Sequence, residues 1–331
     1  MRPAILSLCL ALLAFAAAPA AAEARRPGFW FSGKEYVQLT DWAKANGFLV
    51  RWLKRDESLQ LSSPSAKLSL NIDSCDARLN GVNVRLLFPV LDRNGAPFLS
   101  QLDAQTTLRP LLYPPKYPAN AKIKTIFLDP GHGGKDPGFQ VGGREEKKFT
   151  LLLAEEVRDQ LTHAGFKVTL TRTRDTDVEL PTRPELANRH RADLFVSLHF
   201  NAFPPSPASA SGVEVYCLTP AGAPSSNAQG QGAGVGWFPG NQNNDKNVFL
   251  AYQLQKSLTQ SLDAEDRAIR RARYWVLRDA TMPAVLIEAG YMSHPVEGKK
   301  IFDPAYRRQM AHAITDGILS YRRILQPTAT R

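Results

Sequence analysis

Residues 125–139 read TIFLDPGHGGKDPGF. Positions 125–128 are apolar or β-favouring without alternation, the pattern of a strand buried on both faces. Asp129-Pro130-Gly131 ends that run, and Gly133-Gly134 leaves His132 on a loose backbone with no bulky neighbour. A histidine at the tip of a buried strand is either a turn residue or a reagent. The segments around it decide which.

From residue 122 onward, strand and helix patterns alternate. Over 146–164, Phe149, Leu152, Leu153, Val157 and Leu161 recur at helical spacing, and Gly165 stands where a helix C-cap belongs. FKVTLTR reads as the next strand, 184–191 as a short helix, and DLFVSLHF and GVEVYCL as strands. A helix over 247–262, strands at WVLR and PAVLIEAGY, and a closing helix over 306–325 complete the order. This alternation predicts an α/β domain over 122–325 with a mainly parallel twisted sheet flanked by helices. Residues 219–246, rich in Gly, Ser, Asn, Gln and Pro, read as a flexible insertion in which Trp237-Phe238 could touch substrate.

Upstream, residues 29–112 hold short apolar runs and turns. KLSLNI alternates as a half-buried strand, and Asn80-Gly81 reads as a tight hairpin turn. A small α+β domain is expected there, joined to the larger one by the proline-rich linker 113–121. Residues 1–24 open with a short basic end, continue with an apolar stretch of Ala, Leu and Phe, and close on small-residue A-x-A sites. That is the order of a secretory signal peptide, so the mature protein is expected in the periplasm or cell envelope, with no stable membrane span after cleavage.

The chain has 331 residues, 44% of them hydrophobic, as in a globular protein. Its formal charge of +10 is spread over scattered pairs (Arg25-Arg26, Arg270-Arg271, Arg322-Arg323) and not drawn into an aromatic-interleaved stripe. That excludes a nucleic-acid partner, and an anionic envelope is the simpler one. Beyond the signal segment only Cys75 and Cys217 remain, too few and too distant for a disulfide framework.

In open α/β sheets, ligands sit beyond the carboxyl ends of the strands. Those ends deliver His132, His199 followed by Asn201, and Glu288, while Glu145 and Glu146 open the first helix. Two neutral histidines and one carboxylate with an open position form the ligand set of a catalytic zinc, which polarises a carbonyl and acidifies water. A further carboxylate can then move the proton, and Glu288 fits that role. The chemistry alone leaves Glu145 and Glu146 as alternatives. His163, His190 and His312 fall in or beside helices and read as surface or packing residues, and His294 as a loop residue.

IFLDPGHGGKDPG, the Glu146-Lys147 helix start, LPTRPELANRHRADLFVSLHFNA, SGVEVYCL and VLRDATMPAVLIEAGYMSHP together resemble the zinc-dependent N-acetylmuramoyl-L-alanine amidases, the cell-wall amidases of family 3. The resemblance implies Glu146 as the ligand beside His132 and His199, and Glu288 as the catalytic carboxylate. It implies peptidoglycan as substrate, cut at the amide between the lactyl group of N-acetylmuramic acid and L-alanine; no activating protein can be named from it. Arg183, Asn188 and Asn201 also match the family pattern, with structural or substrate-orienting roles implied. Departures lie at Thr150, where many members have Asn, and at Ser293-His294-Pro295, where Ser-Asn-Pro is common; neither touches the ligand set. The insertion also lacks the look of the inhibitory helix that some members carry. Residues 29–112 are similar to the copper amine oxidase N-terminal-like domain, which implies a wall-positioning module; without histidine, no copper site follows. The rivals are a zinc peptidase acting within the stem peptide, separable by its products, and a non-catalytic peptidoglycan-binding protein, which would lack a ligand or the base.

Overall fold

The computed structural model describes residues 29–117, 122–203, 206–226 and 236–326. The expected signal peptide, and parts of the expected linker and insertion, lie outside them. Among the described residues, no helix is long and apolar enough to cross a membrane.

Eleven strands of the described residues form one sheet, in which the two halves of the chain meet. The N-terminal half contributes β1 (Leu49–Lys54), β2 (Ser58–Ser62), β3 (Lys67–Asn71), β4 (Asp76–Leu79) and β5 (Val82–Arg85) as an antiparallel meander. Asn80 and Gly81, both at positive φ, turn β4 into β5. The C-terminal half contributes β6 (Thr125–Pro130), β7 (Lys167–Leu170), β8 (Leu194–Asn201), β9 (Val213–Leu218), β10 (Asp266–Ala272) and β11 (Ala284–Tyr291). Across the sheet the order is β7-β6-β8-β11-β9-β10-β5-β4-β3-β2-β1. Within the C-terminal half all neighbours are parallel except β9 against β11. A separate small sheet of Phe29–Phe31, Lys34–Gln38, Ala96–Ser100 and Leu91–Arg93 completes the N-terminal half.

Among the described residues, the four longest helices of the C-terminal half are α1 (Glu146–His163), α2 (Thr182–Arg189), α3 (Asn244–Leu262) and α4 (Pro304–Leu325). Because side chains alternate along a strand, each strand divides its apolar residues between two faces. Ile126, Leu128, Val196, Leu198, Val215, Ile287 and Ile269 pack with the buried residues of α1, α3 and α4, and this core continues through Val84, Ala77 and Leu70 into the N-terminal half. Phe127, Phe195, Tyr216 and Leu286 form a second, smaller cluster on the other face.

One expected strand is a helix. Trp275–Arg278, the WVLR segment, makes a single helical turn that buries Val276 and Leu277 in the second cluster. Four residues are too few for periodicity to separate the two states. The strand in that region is β10, whose sequence DRAIRRA hides it behind three arginines. Within the polar run 219–246, residues Pro239–Asn243 form a 3-10 helix that leads into α3, held by Asn241 Nδ2 donating to Thr219 O at 2.9 Å.

Candidate active site

Asp129, the penultimate residue of β6, is fully buried, and three donors satisfy its carboxylate. Oδ1 accepts from Thr171 Oγ1 at 2.7 Å and Arg183 Nη1 at 2.9 Å, and Oδ2 from Ser197 Oγ at 2.8 Å. The two guanidinium groups beside it then hold the next carbonyls of the chain. Arg183 donates to Pro130 O and His132 O, each at 3.0 Å; Arg172 donates to Pro130 O at 3.0 Å and Gly131 O at 2.9 Å. Thr150 of α1 adds a bond to Gly131 O at 2.8 Å. A loop whose carbonyls are all engaged can hold a costly conformation, and His132 has φ +61°.

The glycines around it make room for the rings. A Cβ on Gly131 would stand 2.2 Å from His199 Cε1, and one on Gly138 would stand 2.6 Å from Glu146 Oε2 and 2.7 Å from His132 Cδ2. His199 comes from β8 and Glu146 from the first turn of α1, so three distant segments meet. Glu146 Oε1 lies 3.1 Å from His132 Nε2 and 3.2 Å from His199 Nδ1, and it accepts from Phe200 N at 3.0 Å. Its Oε2 accepts from Phe139 N at 3.0 Å. One ligand atom from each of His132, Glu146 and His199 falls within 4.8 Å of the others, a spacing that suits a single metal ion.

The charges follow from this packing. Burial opposes the carboxylate of Glu146, but hydrogen bonds from His132 and His199 hold it well below the ordinary carboxylate range. Burial likewise opposes a charged His132, and the bonds and charges of Glu146 and Asp136 outweigh it, raising the imidazole pKa. Asp136 Oδ2 sits 2.7 Å from His132 Nδ1, and Gly138 N donates to its Oδ1 at 3.0 Å. With Nδ1 engaged by Asp136, Nε2 is the His132 nitrogen that faces Glu146 Oε1 and would take a cation.

Glu288 stands on β11 between His199 of β8 and Glu214 of β9, which are its cross-strand partners. Its Oε2 is buried with no hydrogen-bond partner. Burial, followed by the nearby charges of Glu146 and Glu214, raises its pKa well above the ordinary carboxyl value. Glu214 is itself buried and fully engaged: Oε1 accepts from Asn201 Nδ2 at 2.5 Å and Tyr291 Oη at 3.0 Å, and Oε2 meets Arg270 Nε at 2.6 Å.

The family model described as N-acetylmuramoyl-L-alanine amidase matches residues 126–320. The chain belongs to this family. The matched region is the C-terminal half described above, from the second residue of β6 to near the end of α4. Over 224 residues the chain is 36% identical to the N-acetylmuramoyl-L-alanine amidase AmiC of Neisseria meningitidis, a match covering 61% of this chain and 53% of that protein. It therefore spans about half the length of that amidase. Among solved structures, the amidase AmiC2 of Nostoc punctiforme is 33% identical over 61% of this chain and 98% of its own, with a TM-score of 0.51. An amidase from Clostridium difficile 630 is 32% identical over 61% and 97%, with a TM-score of 0.50.

Of the two acids at the start of α1 in this amidase fold, Glu146 reaches the histidines, while Glu145 lies 3.4 Å from Lys147 Nζ and accepts from Gln140 Nε2 at 2.9 Å. Of the other matched residues, Arg183 holds Asp129 and two loop carbonyls, Asn201 bonds Glu214, and Asn188 bridges backbone, its Nδ2 donating to Asp279 O at 2.8 Å and its Oδ1 accepting from Thr281 N at 2.9 Å. His163 and His190 bond carbonyls of their own helices, His312 pairs with Asp316, and His294 Nδ1 accepts from Glu297 N. Sequence reasoning missed Asp129, Asp136, Arg172 and Glu214. Asp136 alone carried a usable signal, an acid four residues past a histidine in a glycine-rich loop.

Proposed function

We propose that the protein is an exported, zinc-dependent peptidoglycan hydrolase that cuts the amide between N-acetylmuramic acid and L-alanine. The observation that carries the reading is His132, Glu146 and His199 converging within 4.8 Å beside the unpartnered Oε2 of Glu288. His132, Glu146 and His199 would hold the metal, and their donor set of two imidazoles and one carboxylate is the one zinc takes in hydrolases. When bound, zinc supplies Lewis acidity at the scissile carbonyl and brings the pKa of water down to about 7.

Glu288 does the proton work in this reading. Its raised pKa suits a group that takes a proton from the attacking water at Oε2 and hands it to the departing amine of L-alanine. Asp136 keeps the Nδ1 proton of His132 and so presents Nε2 to the cation. The engaged carbonyls of residues 130–132 keep His132 from turning away. Residues 29–112 act as a positioning module on the wall.

The test is digestion of purified peptidoglycan by the mature protein with and without chelator, followed by mass analysis of the products. Stem peptides with a free L-alanine amino terminus, lost on chelation and restored by zinc, are the expected result. Cleavage within the stem peptide would replace the amidase with a peptidase, and release that ignores the chelator would remove the metal from the reaction.

A further inference from the structure

The active site occupies one face of a sheet that does not stop at the catalytic half. His199, Glu288 and Glu214 are lateral partners across β8, β11 and β9, and so share a face. Across the seam, Asn83, Arg78, Ser69 and Gln60 are lateral partners on β5, β4, β3 and β2. Residues on the other face, including Ile269, Val84, Ala77, Leu70 and Leu59, belong to the apolar core. A cavity of about 490 Å3 lies at the seam, lined by Ser69, Arg78 and Asn83 on one side and by Arg267 and Arg270 on the other.

The charges lining that cavity are unevenly matched. Asp266 is saturated, accepting from Asn83 N at 2.7 Å, Gln255 Nε2 at 2.8 Å and Ala268 N at 3.0 Å. Arg85 is paired with Asp76 at 2.6 Å, and Arg270 with Glu214 at 2.6 Å. Arg78 bonds a carbonyl, Gly81 O, at 3.2 Å. Arg267 is the outlier. Its Nε is buried with no hydrogen-bond partner, and its contact with Glu265, 3.7 Å from Nη1, is beyond hydrogen-bond length. Its guanidinium instead lies over the ring of Tyr291 at 5.0 Å, and that ring's hydroxyl bonds Glu214 beside Glu288. The register shift between Val213 and Val215 sets Arg267 and Ala268 opposite Glu214, with Ala268 at φ +77°; such bulges re-aim side chains next to active sites.

We infer that Arg267 is a specificity-determining residue, and that the seam cavity is a subsite for a carboxylate on the peptide portion of the substrate. A planar fork fixed on an aromatic ring, with donors left over, is built to take a carboxylate in two parallel bonds. Distance limits which carboxylate. Arg267 is two strands from Glu288, about 10 Å at about 4.8 Å per strand. An extended chain covers about 3.3–3.6 Å per residue, so the acid lies about three residues beyond the cleaved bond. Arg78, two strands further on, offers a second cation to a longer or more acidic peptide.

This inference rests on the amidase reading, and the experiment separates the two. Soluble muramoyl-L-alanyl peptides of three to five residues are prepared with all carboxylates free, and again with them converted to carboxamides. With zinc-loaded wild-type protein, kcat/KM is expected to favour the acid by about 10- to 100-fold, carried mostly in KM. In Arg267→Gln the ratio of acid to amide is expected to fall to about one, with Arg267→Lys between the two. An equal rate on both peptides in the wild type, or an unchanged ratio in a folded Arg267→Gln, overturns the inference. If Arg267→Gln does not fold, Arg267→Lys and Arg78→Gln carry the comparison by the same ratio. If the wild type cleaves neither peptide, the amidase reading fails instead. Calorimetric binding of the acid and amide peptides to wild type then decides the subsite: tighter binding of the acid keeps it, and equal binding removes it.

Discussion

Glu288 shows how one residue is kept both unfavourable and useful. Its folded pKa is raised above the unfolded value, so between those two values the folded state holds more protons than the unfolded one. Stability of the metal-free protein is therefore lost as pH rises from about 4.3 through the folded pKa. Glu288→Gln removes that titration. Scanning calorimetry in chelator should give the variant a higher Tm than wild type at pH 8 and an equal one at pH 4. Peptidoglycan turnover should drop by about 100- to 10,000-fold while metal content stays at the wild-type level. A variant that keeps its turnover refutes the proton role. At His132, Asp136→Ala should weaken zinc binding about 10- to 100-fold in a chelator competition, because the imidazole loses the partner that fixes its orientation. An unchanged affinity would leave Asp136 as a loop brace only. In the sequence, His132, His199 and Glu288 stand out because a polar group at the end of an apolar strand needs a reason, whereas Glu146, at a helix start, is set apart from Glu145 only by the family resemblance. Asp129 does not stand out, since an acid beside Pro and Gly also reads as an ordinary turn residue, and for Asp136 only its spacing of four from His132 speaks against that reading.

Among elements, the decisive joint is the one where β6 leaves the sheet. Asp129 and Arg183 form a buried pair at 2.9 Å, and the same guanidinium holds the carbonyls of Pro130 and His132. Removing one partner leaves the other charge buried, so Arg183→Met should cost about 3–5 kcal/mol in chemical denaturation. It should also release the loop, lowering metal affinity along with stability. A loss below about 1 kcal/mol would mean that Arg172 and Thr150 hold the loop without it. The elements themselves were mostly readable. Buried parallel strands such as DLFVSLHF and long amphipathic helices announce themselves through composition and period. WVLR and DRAIRRA defeated that reading in opposite directions, the first too short to show a period, the second a strand whose arginines fall on both faces and break its alternation.

At the scale of the molecule, the two halves share a sheet, among the described residues, through one pairing, Ile269 with Val84, and a few bonds clustered on Asp266. Asn83 donates to it twice, from N to Oδ2 at 2.7 Å and from Nδ2 to the backbone O at 2.8 Å, while Tyr252 Oη reaches across to Leu79 O at 3.1 Å. No sequence pattern could give this. The partners lie 183 positions apart, and alternation within a strand fixes its faces but not its neighbour. The consequence is mechanical: if the seam holds, the halves unfold together and the polar face reaching from Glu288 to β4 stays in register. Asp266→Ala strands the donors of Asn83 N, Gln255 and Ala268 N, each costing about 1–3 kcal/mol when buried without a partner. Calorimetry of the wild type should show one transition, and the variant two, with the N-terminal half melting first. A single transition in Asp266→Ala, merely shifted down, would mean that the continuous apolar core couples the halves without the seam bonds.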